Sequence, residues 1–367
     1  MEDNKSAQNE TLGRAPGEIK FSYGGQAVIE GVLMRGANTA AIAVRDPDGK
    51  IVVHEQPLNK TLYRGWIAKT PFVRGLVGLW DALGLGTRAL MWSADVALGE
   101  EENVSFSGPV GFATLGVSLL FGILLFFLLP TTIATGVGSA LGFTAAEEST
   151  VVEEVSGDVT ATDGADDGGQ LFIFYEALPI GFEATVINFI EAIVQLGILI
   201  LYISLIGQMN DVKRLFGYHG AEHKTINAYE AGAQLTPEVV QTYPIEHPRC
   251  GTAFLLTVVF VSVIVFSLLG RPPFFWLIVS RIVLIPVIAG ISYEFLRWSA
   301  ANIHRPWVKL IVKPNLMLQH LTTREPDLEM CEVAIVSFKR VLLSEGMITA
   351  EEAAVPDPRP RVLPVGD

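Results

Sequence analysis

The sequence predicts an all-α membrane protein with four transmembrane helices, a small cytoplasmic β-hairpin and a helical cytoplasmic cap. Half of the 367 residues are hydrophobic and only 18% are charged. Four apolar runs approach or exceed the roughly 20 residues that a helix needs to cross a bilayer. The polar N-terminus gives no sign of a cleaved signal peptide. The predicted spans are Phe112–Leu129, Thr185–Ile206, Thr252–Leu269 and Phe274–Ser292.

Two proline positions set the expected ends of these spans. Pro130 is expected to end the first, and the pair Pro272 and Pro273 is expected to form the turn between the third and the fourth. The connection 130–184 between the first two spans contains no Lys or Arg and ten acidic residues. Its segment 145–169 is expected to be a mobile, solvated loop.

Charge placement predicts the orientation in the membrane. Of the 26 Lys and Arg residues, eleven precede the first span, four lie between the second and third, and nine follow the fourth. Positive charge accumulates on the cytoplasmic side of membrane proteins. We therefore expect a bacterial cytoplasmic (inner) membrane protein with both termini and the 208–251 loop in the cytoplasm. Its partners are the lipid bilayer and anionic headgroups, with no nucleic-acid module.

The remaining segments complete the cap. Strands at 40–45 and 50–56 flank a hairpin turn, and residues 60–98 are helical, either interfacial or buried against the protein. Helices are also expected at 218–231, after Thr236 and near 332–343. The divisions are a disordered 1–20, the glycine-rich motif, hairpin and interfacial helices at 21–108, spans one and two at 109–207, the His/Cys loop at 208–251, spans three and four at 252–292, and a cytoplasmic 293–367.

The most informative motif is H-x-x-E-H, formed by His219, Glu222 and His223. Residues at positions i, i+3 and i+4 share one face of a helix, so both imidazoles and the carboxylate point the same way. Such histidine pairs suit a divalent metal, zinc first, and an adjacent carboxylate can take a proton from water that the ion activates. Two surface or packing histidines are the alternative.

A second pair, His247 and Cys250, follows at chelating spacing. If all four side chains bind, the shell is closed and the site is structural; if three bind, Glu222 can act as a general base. Arg249 could stabilise developing negative charge or bind a lipid phosphate. Glu294 is a further candidate ligand, with an ion pair to Arg297 as the alternative.

Three other groups of charged residues carry expectations. Glu30 and Arg35 bracket a glycine and could orient substrate or a metal-bound histidine, or they form a local ion pair. Glu191 and Arg281 lie inside the second and fourth spans, where an uncompensated charge is costly. We expect these two to form an intramembrane pair, with a proton or ion path as the alternative.

The assembled motifs resemble those of the YqhQ-like family of bacterial integral-membrane proteins, described as predicted metal-dependent enzymes with a domain of unknown function. The resemblance implies a membrane location and a suspected metal at the residues named above, and no particular reaction. The matching stretches are GGQAVIEGVLMRG at 24–36, YHGAEHKTINAYEAG at 218–232, HPRCGTAFL at 247–255, AGISYE at 289–294 and LQHLTTREP at 318–326.

Three functional hypotheses follow. The first is a metal-dependent hydrolase at the cytoplasmic membrane surface, acting on an unidentified peptide, lipid or phosphoester. The second is a scaffold or partner-binding protein stapled by a structural zinc ion. The third is a transporter built on the intramembrane charges, which with four spans would require a homo-oligomer.

Overall fold

The computed structural model describes residues 23–59, 65–99, 109–142, 182–270 and 272–355. Three segments lie outside these ranges. They are residues 1–20, which were expected to be disordered, most of the acidic connection, and the proline-rich C-terminal end.

A four-stranded antiparallel sheet lies outside the four spans, together with several helices. Its strands are β1 (Gly24–Val28), β2 (Gly31–Arg35), β3 (Thr39–Arg45) and β4 (Ile51–Pro57), paired in chain order. The hairpin of β3 and β4 is the one expected from the sequence. The glycine-rich motif was expected only as a folded turn, and it forms a second hairpin, β1 and β2. Its tight turn places Glu30 at a φ of 52°.

Both faces of the sheet are buried, which explains why its central strands are apolar almost throughout. Val32, Met34 and Ala43 point to one face, which is covered by the helices Asn210–Glu230 and Leu328–Ser344. Leu33, Ile42 and Val44, which alternate with these residues along the strands, point to the other face, against the helix Val73–Leu98.

Eleven α-helices and one π-helical turn lie in the described residues. The α-helices are α1 (Trp66–Lys69), α2 (Val73–Leu98), α3 (Pro109–Ile123), α4 (Leu129–Ala140), α5 (Phe182–Ile206), α6 (Asn210–Glu230), α7 (Pro237–Val240), α8 (Gly251–Leu269), α9 (Phe274–Ala301), α10 (Pro306–Thr322) and α11 (Leu328–Ser344), and the π-helical turn is Leu124–Leu128.

The four expected spans are confirmed as helices long and apolar enough to cross a membrane. They cover Gly111–Ala140, Glu183–Ile206, Gly251–Leu269 and Phe275–Ala301. The first and last are longer than predicted. The first contains α3, the π-helical turn and α4, and the last passes through Ser292 without a break.

Pro130 does not end the first span, contrary to the prediction. Proline supplies no main-chain N–H, so the helix must find another donor for the carbonyl groups of the preceding turn. Here the preceding turn is π-helical, and the Gln195 side chain from α5 donates to the Phe126 carbonyl over 3.1 Å. An amide from a neighbouring span thus satisfies backbone that the bilayer could not.

Two further helices differ from the sequence prediction. The helix with the H-x-x-E-H motif begins at Asn210, eight residues before Tyr218, and ends as expected before Gly232, which has a φ of 75°. The helix α10 was not predicted at all. It packs on α8 and α5, between the end of the last span and the sheet-covering helix α11.

Candidate metal centre

The helix α6 presents the H-x-x-E-H motif inside the protein. It packs against β1, β2 and α11, so most of its residues from Phe216 to Tyr229 are buried although its sequence is polar. The side chain of His223 is 1% exposed, that of Glu222 is 5% exposed and that of His219 is 17% exposed. A buried polar stripe of this kind needs partners, and it finds them in the chain segment that follows.

Side chains of α6 hold the following loop in place. Lys224 Nζ donates to the carbonyls of Gln241 and Tyr243 over 2.9 and 2.7 Å. Asn227 Nδ2 donates to the carbonyls of Pro244 and Glu246 over 2.8 and 3.0 Å. These bonds fold the loop back along the helix and bring the second chelating pair to the first.

Both motif histidines have a fixed ring orientation. His223 Nδ1 lies 2.6 Å from the Ile245 carbonyl, and His219 Nδ1 lies 2.8 Å from the Thr322 carbonyl. A carbonyl oxygen can only accept, so each Nδ1 carries the proton and each Nε2 of the neutral ring keeps its lone pair. Metal-binding histidines are typically held by this kind of hydrogen bond.

Cys250 supplies the third donor atom. It is the N-cap residue of α8, and its Sγ accepts from the Thr252 N–H at 3.4 Å. The same Sγ lies 3.3 Å from His219 Nε2. The thiol that the sequence places at the start of a span therefore points into the histidine pair.

His219, His223 and Cys250 together form a group that could hold a metal ion. Their three ligand atoms lie within 4.8 Å of one another. A tetrahedral zinc shell with bonds of about 2.0–2.3 Å separates its ligand atoms by roughly 3.3–3.8 Å. Two imidazole nitrogens and one thiolate with these spacings fit a zinc-type ion with only small adjustments.

Glu222 lies beside this group. One carboxylate oxygen is 3.9 Å from His219 Nε2 and 3.6 Å from His223 Nε2. Burial raises the pKa of its carboxyl to about 7, an effect that His219, the Gly25 N–H and Arg249 partly oppose. Because of the two short distances, the carboxylate is within reach of a group bound between the two rings.

Gly25 makes room for Glu222. A Cβ atom at this position would lie 2.5 Å from the Leu33 carbonyl and 2.8 Å from Glu222 Cγ. Only glycine permits the strand to approach the carboxylate so closely.

The structure leaves His247 outside the group of three. Its Nε2 lies 3.3 Å from an Arg249 guanidinium nitrogen, which can only donate to it. Burial lowers the pKa of His247 well below its usual value, and the charge of Arg249 acts in the same direction. His247 is therefore neutral, with its lone pair directed at Arg249. The guanidinium of Arg249 also forms an ion pair with Glu230.

Three of the other candidate residues lie elsewhere. Glu30 forms a bidentate ion pair with Arg214, at 2.6 Å for both contacts, which fastens the β1–β2 turn to α6. Arg35 lies in β2 and lines a small cavity together with Gly25. Glu294 pairs with Arg74 and accepts from the Phe72 N–H over 3.1 Å, so its ion-pair partner is on α2 and not the expected Arg297.

The intramembrane pair expected from the sequence is present in the structure. Arg281 lies 2.9 Å from Glu191 and 3.1 Å from the Asn188 side-chain oxygen. Thr131 donates to Glu191 over 3.0 Å, and the guanidinium stacks on Phe266 at 3.6 Å from the ring centroid. These contacts join all four spans.

Sequence reasoning missed the residues that orient the ligands. Gln319 is fully buried and bonds to the main chain of His247, and Thr322 offers its carbonyl to His219. The one signal for Gln319 was its position in the stretch LQHLTTREP at 318–326, which contributes to the family resemblance. A main-chain carbonyl has no sequence signal.

Comparison with known proteins identifies the family. Residues 70–162 and 168–344 match the family model described as "Protein of unknown function (DUF1385)". The chain belongs to the DUF1385 family. It is also 32% identical over 342 residues to "Uncharacterized protein YqhQ" of Bacillus subtilis (strain 168), covering 90% of this chain and 95% of that protein. No solved structure matches the chain.

The DUF1385 match contains the whole metal-ligand group and the segment of α10 that orients it. The glycine-rich motif at 24–36 precedes the matched residues, although its Gly25 contacts Glu222. The family description names no reaction, so the chemistry has to be argued from the geometry of the site.

Proposed function

We propose that this protein is a metal-dependent hydrolase of the bacterial cytoplasmic membrane, with its site on the cytoplasmic side. The observation that carries the proposal is the open arrangement of the ligand group. Three donor atoms, from His219, His223 and Cys250, are within 4.8 Å of one another, and Glu222 stands next to two of them. Three protein ligands with a neighbouring carboxylate are typical of catalytic zinc sites.

Each residue of the site has a role in this proposal. A zinc ion held by the three ligands would act as a Lewis acid towards water and the bond to be broken. Glu222 takes the proton from the attacking water and returns it to the leaving group. Arg249 is paired with Glu230, its charge acts on Glu222, and it stabilises the developing negative charge. The neutral His247 keeps this guanidinium in place from the other side.

The orientation rests on charge. The connection 130–184 contains none of the 26 Lys and Arg residues, whereas the loop 208–251 contains four, the segment before the first span eleven and the segment after the fourth nine. By the positive-inside rule, this difference supports a cytoplasmic position for the metal group. The reducing cytoplasm also suits a site that depends on a free thiolate, and both cysteines are free among the described residues.

A structural zinc site is the second candidate. The same carboxylate that could serve as a base lies close enough to complete a closed four-ligand shell if it moves toward the ion. The ion would then staple α6 to α8, and the protein would act as a membrane scaffold.

Metal content tests the site. Full-length protein is purified in detergent, loaded with zinc and analysed by mass spectrometry of the metal. We expect one zinc per chain, which is lost in His219→Ala, His223→Ala and Cys250→Ser. His304→Ala, an exposed histidine, and Cys331→Ser, a cysteine in the core of α11, are the matched controls and should keep the metal. Equal metal content in ligand and control variants would refute the site.

Glu222→Gln then separates the two candidates. In a hydrolase the variant keeps its zinc and loses turnover of a panel of fluorogenic esters, phosphoesters and peptides. If the carboxylate is a structural ligand, the same substitution lowers zinc affinity, and wild-type protein shows no turnover that depends on the metal.

A further inference from the structure

The helix α10 has three distinct faces. One face packs on α8, where Asn315 Nδ2 donates to Thr257 Oγ1 over 3.2 Å and the hydroxyls of Thr322 and Thr252 lie 3.1 Å apart. The second face is apolar and exposed, and the third is basic and exposed. The exposed apolar residues are Trp307, Leu310, Ile311 and Met317, with exposures of 49, 72, 49 and 60%.

The basic face is a single row. Arg305, Lys309 and Lys313 follow one another at intervals of four residues, so they lie along one side of the helix. All three are exposed, and the sequence contains no Asp or Glu between residues 304 and 324. Among the described residues, no carboxylate forms a salt bridge with any of the three. Positive charge beside an exposed apolar stripe is typical of helices that lie in the membrane interface.

Tryptophans give the level of α10 relative to the bilayer. Trp276 near the start of α9 and Trp298 near its end are both exposed, and they are 22 residues apart. At 1.5 Å per residue this is about 33 Å, close to the thickness of the hydrocarbon core. Exposed tryptophans concentrate at the two membrane–water interfaces. Trp298 therefore lies at the interface where the chain leaves the fourth span.

Trp307, in the first turn of α10, lies beside this marker, with its ring centroid 5.5 Å from that of Trp298. The helix α10 thus begins at the interface, and its Asn315 and Thr322 contact Thr257 and Thr252 in the first two turns of α8. Leu255 and Phe260 of α8 are exposed and apolar. The apolar stripe of α10 is continuous with a surface that faces lipid.

From this placement we propose that α10 is a binding site for anionic phospholipids. Acyl chains cover Trp307, Leu310 and Ile311, and the phosphate groups pair with the row of Lys309 and Lys313. A lipid headgroup with a net negative charge pairs with these lysines better than a zwitterionic headgroup does, because choline would bring a cation to the same place. The binding site lies outside the metal-ligand group and extends beyond the proposed hydrolase activity.

Quenching of Trp307 fluorescence tests the proposal. Full-length protein is placed in nanodiscs that contain either brominated phosphatidylglycerol or brominated phosphatidylcholine at the same fraction. The fluorescence of Trp307 is obtained as the difference in emission between wild-type protein and Trp307→Phe. We expect quenching by both lipids and stronger quenching by phosphatidylglycerol. Each basic side chain should raise the affinity for phosphatidylglycerol relative to phosphatidylcholine roughly fivefold at low salt.

The double variant Lys309→Gln with Lys313→Gln should lose this preference while Trp307 is still quenched by either lipid. Lys50→Gln, an exposed lysine in the β3–β4 turn, is the control and should retain the preference. Equal quenching by both lipids in wild-type protein would overturn the proposal. So would a lack of quenching by either lipid, the result expected if a second copy of the chain or another protein covers the stripe. Neither readout depends on zinc or on hydrolysis.

Discussion

The side-chain amide of Gln319 and the main chain of His247 form two reciprocal hydrogen bonds. The His247 N–H donates to Gln319 Oε1 over 3.0 Å, and Gln319 Nε2 donates to the His247 carbonyl over 2.9 Å. Three residues further along α10, the Thr322 carbonyl accepts from His219. One helix therefore orients both the loop and a motif histidine, and the metal group depends on where α10 sits.

Replacing Gln319 tests this dependence. Gln319→Leu leaves a buried N–H and a buried carbonyl of His247 without partners, which should cost about 1–3 kcal/mol of unfolding free energy. Because the loop that ends at Cys250 loses its anchor, zinc affinity should fall by about 10- to 100-fold. Thermal unfolding in detergent and zinc titration against a competing chelator measure the two effects.

The exposed Gln208 provides the control for this variant. Its amide donates to the Ser204 carbonyl, four residues earlier, at 3.3 Å. Gln208→Leu should leave both the melting temperature and the zinc affinity unchanged. A Gln319→Leu protein with wild-type zinc affinity would show that α10 does not support the site.

The metal group shows which site residues could be predicted from spacing in the sequence. The H-x-x-E-H pattern and the pair at 247–250 brought together the three residues whose donor atoms the structure groups. Spacing could not show that His247 would turn its lone pair to Arg249, because that contact depends on the fold of the loop. The role of Gln319 depends on α10, a helix with two prolines whose sequence gave no prediction.

Adjacent glycines in β1 give a matched pair of variants. Gly25→Ala would place a methyl group 2.8 Å from Glu222 Cγ and 2.5 Å from the Leu33 carbonyl, whereas a Cβ at Gly24 meets nothing within 4 Å. Overpacking of this kind typically costs about 1–3 kcal/mol. We expect Gly25→Ala to lower the melting temperature and Gly24→Ala to leave it within experimental error. Equal melting temperatures for the two variants would contradict the close contact.

Charged residues illustrate a second limit of sequence reasoning. Glu30 and Glu294 were each given an alternative partner within five residues along the chain, and the structure pairs them with Arg214 and Arg74, about two hundred positions away. The pair of Glu191 and Arg281 could be anticipated because depth in the bilayer restricts the choice. Outside the spans, many cations are available to each carboxylate, so only the fold selects one.

Removing one member of the intramembrane pair should destabilise the bundle. Glu191→Ala leaves Arg281 without its carboxylate in the span, and breaking a buried pair in this way costs about 3–5 kcal/mol. Glu183→Ala, an exposed acid at the start of the same helix, is the control and should unfold like wild-type protein. Thermal unfolding in detergent measures both. Unchanged stability of Glu191→Ala would show that the pair does not hold the spans together.

The contact between Gln195 and the Phe126 carbonyl yields a prediction about non-additivity. Gln195→Leu removes the donor that serves the π-helical turn before Pro130, and the unpaired carbonyl should cost about 1–3 kcal/mol. In a Pro130→Ala background the main chain regains an N–H that can serve this turn, so the same substitution should cost less there. Unfolding free energies of the two single variants and the double variant give the coupling between the sites, which we expect to be about 0.5–3 kcal/mol. A coupling of zero would mean that the glutamine does not compensate for the proline, and that the π-helical turn satisfies its own carbonyls.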